Sequence, residues 1–584
     1  MSDLLNSASL VMIPSGYKED VVYSQIPTSG AGDLSFTRAS NGTRINSAGL
    51  VEVCPWNLVQ YSNTFTNGVW VTGGYGNLPT LTANAIANPV NGLVDAWGAT
   101  FASAGTQGRL LQLFTGLSIG VPYTYSMYVK AGTKTSVSIY ADTATIGLEA
   151  TFNLSTGVVT SASSGVTATI TSMTNGWYFL TISNNILSSG NGQYGVLTNP
   201  ADDGSCYIYG AQLNIGSTAK PYFPTTDRLN VPRLTYQNGG GGCPSLLLEK
   251  QSTNISYQST VTSFGSGAND WLNGNNSPAS INQTTGIDGT QNGAKYTKTA
   301  VDSDADFFYK NQVPVTSGTT YTVSGYIKLG TASNAVIVIN NTSAWNTVAN
   351  GSIVCSTANG FSTTSWKRFE LTITGPSTNK INIHYGYHLE LGVTAQATGT
   401  FFLDGLQVEA SSYATSLINT TSASATRVAD LSTSDTIQTA QTFAGDFTIF
   451  ADFVPFIDST DANGLMILGG GASGLGTTYQ SYLWFVGSNV YLSGDGEVNI
   501  IQRSYSMVVN QRVKIALTRV GTTVKMFVNG AQVGASNTSS LSITIRSIGW
   551  SYNLPTYQTK GKINQVVLSA TGFSDADCQS LTTI

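Results

Sequence analysis

The sequence is poor in charged residues. Only 10% of its 584 residues are Asp, Glu, Lys or Arg, whereas an average soluble chain has about 25%. The net charge is −5, and basic residues cluster no further than pairs such as Lys367-Arg368. The phosphate neutralisation that drives nucleic-acid binding therefore has no visible source. We exclude nucleic acid as a partner.

Long apolar runs are also missing. No stretch approaches the roughly 18 consecutive apolar residues that predict a transmembrane helix. The start, MSDLLNSASLVMIPSGYKED, lacks the basic-then-apolar layout of a signal peptide. The sequence therefore predicts a soluble protein that is made without a secretory signal and has no membrane partner.

Cysteine and histidine are scarce. The cysteines show no CxxC spacing and are predicted to be free, mostly buried thiols: Cys54, Cys206, Cys243, Cys355 and Cys578. The two histidines, His384 and His388, lie in KINIHYGYHLELG, whose alternation predicts a strand with both rings on one sheet face. Strand-face packing is the favoured interpretation, and a zinc pair is the alternative. We predict no metal site and no cofactor, and calcium is not indicated.

Catalytic motifs are absent as well. A lectin-fold glycan hydrolase would place carboxylates about 5–9.5 Å apart across the scissile bond, but no E-x-D-x-x-E strand occurs. Asp446, Asp452, Asp495 and Glu497 stand in separate contexts, and Asp452, the nearest candidate, is interpreted as an outward strand residue. No G-x-S-x-G elbow, P-loop or dinucleotide fingerprint appears. We predict that the protein is not an enzyme.

Two near copies of one strand indicate an internal duplication. YTYSMYVKAGT begins at Tyr123 and YTVSGYIKLGT at Tyr321, and both alternate with the period of two typical of a half-buried strand. Other markers recur in the same order and at nearly constant offset: NLVQYSN at Asn57 and NISYQST at Asn254, strands led by Trp177 and Trp366, and GAQL at Gly210 and GLQV at Gly405. The chain therefore contains a duplicated domain.

Each copy consists of short strands separated by Gly, Asn and Ser clusters, which is typical of a β-sandwich or jelly roll. The connectors look structured and repeated, because FTRASNGTRI, DRLNVPRLTY and ATRVADL each carry Arg followed by a short extended run. From about residue 419 a different β pattern begins. It contains turns at Gly521-Thr522 and Asn529-Gly530 and ends in a Ser-Asp start of a short helical turn.

Two of these patterns resemble known families. RVKIALTRVGTTVKMFVNGAQVG and the closing GKINQVVLSATGFSDADCQSL resemble the laminin-G or concanavalin-A-like lectin family over about residues 430–584. The repeats resemble carbohydrate-binding-module-like jelly rolls in TSWKRFELTIT and in the FFLDGLQVE strand. Tyr209 stands in copy one where copy two has Asp404, so no metal role is carried over to Asp404.

The fold class that follows is all-β, with tandem jelly-roll β-sandwiches followed by a concanavalin-A-like β-sandwich. The predicted domains are an N-terminal arm over 1–56, jelly-roll repeat 1 over 57–226, a connector over 227–253, repeat 2 over 254–418 and a laminin-G or concanavalin-A-like domain over 419–584.

The order FTRASNGTRINSAGLVE, NLVQYSNTF, PSLLLEKQSTNISYQS resembles virion appendage proteins of tailed bacteriophages, including head or tail fibres of crAss-like and other Bacteroides phages. The resemblance implies a fibre subunit, commonly a homotrimer, made in the bacterial host cytoplasm and carried on the virion surface. We expect residues 1–56, at the end opposite the C-terminal domain, to attach to capsid, portal or tail proteins. The distal domains would bind host-surface polysaccharide. A purely structural capsid or collar decoration is the alternative, and a glycan depolymerase is less favoured.

Sugars bind by stacking on exposed aromatic faces together with a few polar groups. Trp484, Trp550 and Tyr552 lie in or next to predicted loops of the C-terminal domain, and we predict that they form a carbohydrate-binding platform. Trp177 and Trp366 occupy matching positions in the repeats and are predicted to be core residues.

Overall fold

The computed structural model describes residues 7–102, 107–142, 147–186, 191–198, 203–237, 240–273, 278–298, 308–341, 350–386, 399–430, 437–457, 464–470, 481–495, 498–549 and 558–584. The chain forms two compact units. Unit 1 comprises Met1–Cys54 and Asn230–Ile584, and unit 2 comprises Pro55–Leu229. In sequence, unit 2 is therefore an insertion into unit 1. The finer domain boundaries stay predictions.

The described residues are nearly all β, which confirms the predicted fold class. Among them, no helix is long and apolar enough to cross a membrane.

The N-terminal segment of unit 1 consists of short strands: β1 (Ala8–Met12), β2 (Tyr17–Lys18), β3 (Val21–Val22), β4 (Leu34–Ser35), β5 (Gly42–Ile45) and β6 (Val51–Cys54). Strands β2, β3 and β4 form one small antiparallel sheet, and β5 and β6 form a hairpin.

Unit 2 is a two-sheet sandwich. Its strands are β7 (Thr80–Ala87), β8 (Val94–Phe101), β9 (Arg109–Phe114), β10 (Pro122–Ala131), β11 (Ser136–Asp142), β12 (Gly147–Asn153), β13 (Val158–Ala162), β14 (Thr167–Ser172), β15 (Trp177–Asn185), β16 (Gly192–Leu197) and β17 (Gly204–Ile215). One sheet has the order β14-β15-β10-β17-β8-β7 and the other β13-β12-β11-β16-β9. Tyr125 and Met127 on β10 pack with Ile139 on β11 in the core between them.

Unit 1 continues with connector strands β18 (Leu234–Thr235), β19 (Ser245–Leu248) and β20 (Ser252–Asn254). A second sandwich follows: β21 (Trp271–Asn273), β22 (Ala279–Thr284), β23 (Gly293–Lys298), β24 (Phe308–Pro314), β25 (Thr320–Leu329), β26 (Asn334–Asn340), β27 (Gly351–Ser356), β28 (Lys367–Thr374), β29 (Lys380–Gly386) and β30 (Gly399–Glu409). Its sheets are β22-β23-β30-β25-β28 and β21-β24-β29-β26-β27. The orders β22-β23-β30-β25-β28 and β24-β29-β26-β27 repeat β7-β8-β17-β10-β15 and β9-β16-β11-β12 of unit 2, whereas β13, β14 and β21 have no counterpart among the described strands. The predicted duplication is confirmed.

A buried asparagine holds each copy closed in the same way. In unit 2, the amide of Asn57 donates to the carbonyl oxygens of Ala211 and Phe223 and accepts from the backbone of Leu213. In the second copy, Asn254 donates to the carbonyls of Leu406 and Ile418 and accepts from Val408. Both asparagines are 0% exposed, so each ties the last long strand to the segment that follows it.

The strand that recurs in the two copies, β10 and β25, packs through its tyrosine against a glycine of the neighbouring strand. Tyr128 on β10 lies against Gly210, and Tyr326 on β25 lies against Gly405. Both glycines have φ near +65° and interrupt the pairing register of β17 and β30 with a bulge. A Cβ at Gly210 would lie 3.2 Å from the Tyr128 ring, and one at Gly405 would lie 3.0 Å from the Tyr326 ring. The repeated Tyr and Gly are therefore one structural pair.

The C-terminal part of unit 1 is a third sandwich. Its elements are β31 (Ala425–Arg427), β32 (Gln441–Phe443), β33 (Phe447–Pro455), β34 (Leu465–Gly469), β35 (Tyr482–Val486), β36 (Asn489–Ser493), β37 (Asn499–Ser504), β38 (Val513–Val520), β39 (Thr523–Val528), β40 (Ala531–Gln532), β41 (Asn537–Thr538), β42 (Ile543–Ile545), β43 (Ser547–Ile548), β44 (Gly561–Ser569) and helix α1 (Asp575–Thr582).

The main sheet of this sandwich runs β18-β19-β44-β33-β38-β39-β40, and the opposing sheet runs β37-β36-β35-β34-β43. The predicted turns at Gly521-Thr522 and Asn529-Gly530 are confirmed, and the latter has positive φ at both residues. Helix α1 begins after Ser574, which forms a capping box with Asp577.

The N-terminal segment does not lie opposite the C-terminal domain, so that expectation is wrong. Strand β1 pairs antiparallel with β44, placing Leu10 next to Leu568 and Met12 next to Val566. Leu10 and Met12 are 0% exposed and belong to the core of the C-terminal sandwich. Burial of these side chains gives the segment the core that it is too short to form alone.

The three arginine-bearing connectors meet in one buried ionic cluster. Arg38 pairs with Asp430 at 2.8 Å, and Arg233 pairs with both Asp430 and Glu249. Arg427 lies 3.4 Å from Glu249. All five side chains are at most 1% exposed, so this "arginine cluster" joins the N-terminal segment, the connector and the start of the C-terminal sandwich.

Candidate functional site

Trp484, predicted to lie in or next to a loop, lies in the middle of the short strand β35, which ends at the Gly487-Ser488 turn. Alternation along this strand buries Leu483 and Phe485 and leaves Tyr482 and Trp484 half-buried on the outer face of the sheet. The period of two in a strand dictates this division, because successive side chains point to opposite faces.

Two neighbouring strands extend the outer face. Trp484 pairs across the sheet with Tyr491 on β36, and Tyr491 pairs with Gln502 on β37. The Trp484 and Tyr491 ring centroids are 6.1 Å apart at an interplanar angle of 37°, and Tyr482 meets Trp484 edge-on at 6.0 Å. The Gln502 amide donates to the Tyr491 hydroxyl at 3.2 Å. We call Tyr482, Trp484, Tyr491 and Gln502 the aromatic face.

A second row of polar side chains adjoins the aromatic face. Asn489 on β36 pairs with Ser504 on β37, and the Ser504 hydroxyl lies 3.4 Å from the Asn489 amide oxygen. The side chain of Asn489 also donates to the carbonyl oxygen of Gly487. The face thus combines aromatic rings with amide and hydroxyl groups.

Gly464 fixes one border of the aromatic face. Its φ of +61° lies in the left-handed region that favours glycine. A Cβ at this position would lie 2.6 Å from the Trp484 Nε1 atom. The absence of a side chain at Gly464 therefore leaves room for the indole ring.

The other predicted aromatic residues have different outcomes. Trp550 and Tyr552 lie outside the described residues. Trp177 is 1% exposed, as predicted for a core residue. Trp366 is only half-buried and precedes β28, so the prediction that it is a core residue is wrong. Its indole donates to the carbonyl oxygen of Thr285, and the Lys328 ammonium lies 4.9 Å from its ring centroid.

The described candidate carboxylates accept hydrogen bonds from neighbouring residues. Asp452 alternates with the core residues Ala451 and Phe453 and so faces outward from the core, as predicted. It is nevertheless only 2% exposed, because it accepts hydrogen bonds from Arg512 and Asn564. The pairing of β33 with β38 and β44 places it beside both partners. Asp495 accepts from Ser481 and Thr544, and Asp446 accepts from the Gly521 amide. Glu497 lies outside the described residues.

The second jelly roll contains a buried carboxyl group at Asp404. Burial raises its pKa to about 6, with a further increase from the nearby Asp288 charge. Its oxygens accept from the Thr260 hydroxyl and from the backbone amides of Ile287 and Gly405. Within the described ranges, no three His, Cys, Asp or Glu side chains come together as metal ligands.

The thiols and the described histidine behave as structural residues. All five cysteines are free, and only Cys243 is exposed, which confirms the prediction. His384 lies in β29 and stacks on Tyr309 with ring centroids 4.8 Å apart. His388 lies outside the described residues.

Sequence reasoning missed Tyr482, Tyr491 and Gln502. The signal was present in SYLWFVGSNVYLSGDG, where alternation on both sides of a Gly487-Ser488 turn places Tyr482, Trp484 and Tyr491 on one face. The residue spacing within β37 gave no such signal, because a bulge between β36 and β37 shifts its register.

Comparisons with known proteins found no matching family model and no matching curated protein. Similar solved structures include the NanB sialidase from Streptococcus pneumoniae, with 16% identity, a TM-score of 0.20 and 24% of each chain covered. The CBM40 of a Ruminococcus gnavus IT-sialidase bound to alpha2,3 sialyllactose has 16% identity and a TM-score of 0.20, covering 24% of this chain and 84% of that one.

A third similar structure is the N-terminal CBM22-1-CBM22-2 tandem domain from Paenibacillus barcinonensis Xyn10C. It has 11% identity and a TM-score of 0.20, covering 61% of this chain and 98% of that one. The match to NanB spans about a quarter of the NanB chain. At these identities and TM-scores, the similarities bear on neither ligand nor activity.

Proposed function

We propose that this protein binds glycans through the aromatic face of its C-terminal sandwich. The observation that carries the proposal is the row of Trp484, Tyr491 and Gln502 across three adjacent strands. Pyranose rings present apolar C–H faces that stack on aromatic rings, and amide groups pair with their hydroxyls.

The geometry suits a ligand that lies on a surface. The two rings of the row are held by a regular sheet whose opposite face is packed in the core through Leu483, Phe485 and Val490. Side chains placed on such a rigid element lose little further freedom on binding, so less of the binding free energy is spent on ordering.

Substitution of the face tests this proposal. We expect Trp484→Ala and Tyr491→Ala to lower the affinity of the full chain for bacterial surface polysaccharides at least tenfold on a glycan array and in calorimetry. Tyr75→Ala, at a 73% exposed tyrosine of unit 2, is the matched control and should leave affinity unchanged.

Thermal melts of each variant separate lost binding from lost folding. Wild-type protein that bound nothing on a broad bacterial panel would contradict the proposal and favour a purely structural role in a capsid or collar. Binding that survived both substitutions would place any glycan site elsewhere on the chain.

We further propose that the protein is a subunit of a phage head or tail fibre, attached to the virion through residues 1–56 and assembled as a homotrimer. The sequence resemblance described above supports this proposal. Because Leu10 and Met12 lie in the core, attachment would use the exposed side of the folded segment and not a free arm. Electron microscopy of labelled protein on particles tests the location. A monomer near 61.3 kDa in sedimentation would contradict the trimer.

A further inference from the structure

We propose that the aromatic face selects uncharged polysaccharides over acidic ones, an inference that rests on the proposed function. The polar side chains Asn489 and Ser504 lie beside the four residues of the aromatic face, Tyr482, Trp484, Tyr491 and Gln502. None of them carries a charge at neutral pH. The face offers rings, amides and hydroxyls, which match the C–H faces and hydroxyl groups of neutral sugars.

The nearest cation along β37 is directed away from the face. Arg503 pairs with Val490, a core-facing residue, and its guanidinium donates to the carbonyl oxygens of Gln502 and Ala535. A uronic or sialic acid carboxylate bound on the aromatic face would therefore gain no ion pair from this arginine.

A carboxylate, Asp495, directly follows the end of β36 and the residue Gly494. Asp495 accepts from the hydroxyls of Ser481 and Thr544, which lie at the same end of the sheet. Its negative charge opposes an anionic ligand at that end.

The energetic consequence follows from desolvation. A carboxylate that leaves water for an aromatic surface without a cationic partner loses hydration that nothing replaces. A neutral hydroxyl loses less hydration free energy and forms hydrogen bonds with the side-chain amides of Gln502 and Asn489. Binding of the neutral ligand also releases no counter-ions, so salt should have little effect on affinity.

The experiment compares one polymer in two charge states. A bacterial capsular polysaccharide that contains uronic acid and its carboxyl-reduced product share linkages and differ in charge. We expect the full chain to bind the reduced polymer at least tenfold more tightly, with less than a twofold change in affinity between 50 and 500 mM NaCl. Equal or tighter binding of the acidic polymer, or a tenfold loss with salt, would overturn the inference.

A charge variant adds an independent readout. Gln502→Lys places a cation beside Tyr491 and should raise affinity for the acidic polymer at least fivefold, with a new dependence on salt. Unchanged acid binding in a folded Gln502→Lys variant would show that charge does not set selectivity. Failure of the wild-type chain to bind either polymer or any neutral glycan on a broad panel would instead contradict the proposed glycan-binding function.

Discussion

The hydrogen bonds of one asparagine in each copy explain why both copies of the duplicated sequence contain it. Asn57 and Asn254 each make several hydrogen bonds to buried backbone groups that span the end of one sandwich. Aspartate would add a charge to a site that needs two donors, and leucine would leave the carbonyls unpaired. Asparagine, with two donors and an acceptor on one planar group, satisfies both requirements.

We expect Asn57→Ala and Asn254→Ala each to lower the free energy of unfolding of their own sandwich by about 3 kcal/mol, because several buried backbone groups lose partners. Hydrogen exchange resolves the two effects. Asn57→Ala should raise exchange in β17, and Asn254→Ala should raise exchange in β30. Each variant is the other's control, and a loss below about 1 kcal/mol in either copy would contradict the shared role.

The tryptophans show how much of a residue's environment the sequence alone can predict. Trp484 could be selected from the sequence because tryptophan is rare and amphipathic. Its half-buried setting depends on cross-strand neighbours, and no spacing rule reports those. Trp366 shows the converse, since its match to Trp177 predicted a core position that the structure gives only to Trp177.

At the scale of elements, the sequence predicts long strands well and short edge strands poorly. The alternation in β25, β38 and β39 was sufficient because each strand carries its own period. Strand β1 has five residues, and its partner β44 lies more than 550 positions away in the chain, as the Ser9 to Leu568 hydrogen bond shows. Periodicity contains no information on such pairing.

Strand β1 should behave as part of the C-terminal sandwich. We expect Leu10→Ala to lower the free energy of unfolding of that sandwich by about 2–5 kcal/mol, because the fully buried side chain leaves a cavity. Hydrogen exchange should increase in β44 and remain unchanged in unit 2. Lys18→Ala, at an exposed position of β2, is the control. Unchanged protection of β44 in Leu10→Ala would show that β1 is dispensable.

At the scale of the whole molecule, the arginine cluster connects parts of unit 1 that are far apart in sequence. Burial alone would raise the pKa of Asp430, but the Arg233 and Arg38 guanidinium groups outweigh it and hold that pKa below its usual range. Glu249 is held low in the same way by Arg427 and Arg233. The connectors could be recognised as repeated from their arginines, but their convergence depends on the tertiary fold.

Removal of the Asp430 carboxylate, which Arg38 and Arg233 share, should destabilise unit 1. We expect Asp430→Asn to lower the free energy of unfolding of unit 1 by about 3–5 kcal/mol at pH 7, since Arg38 and Arg233 would stay buried without the negative charge of Asp430. Because the pKa of Asp430 is lower in the folded than in the unfolded state, this contribution is fully present above the unfolded pKa. It should begin to decline as pH falls below about 4 and be lost as pH passes through the lower folded pKa. Denaturant titrations between pH 3 and 7 measure both effects.

The exposed Asp20 provides the control for this prediction. Asp20→Asn, at a left-handed position that asparagine tolerates, should change stability little at pH 7. An Asp430→Asn variant as stable as Asp20→Asn at pH 7 would contradict a stabilising role for the cluster.

The pairing of β1 with β44 also determines when the third sandwich can fold during synthesis. The ribosome makes Leu10 long before Leu568, and at about 5–20 residues per second the interval is roughly 30–110 s. Throughout that time the apolar side chains of β1 lack their permanent partner, while unit 2 can already fold. Synthesis of β44, and not of the earlier strands of the third sandwich, therefore governs when that sandwich can close.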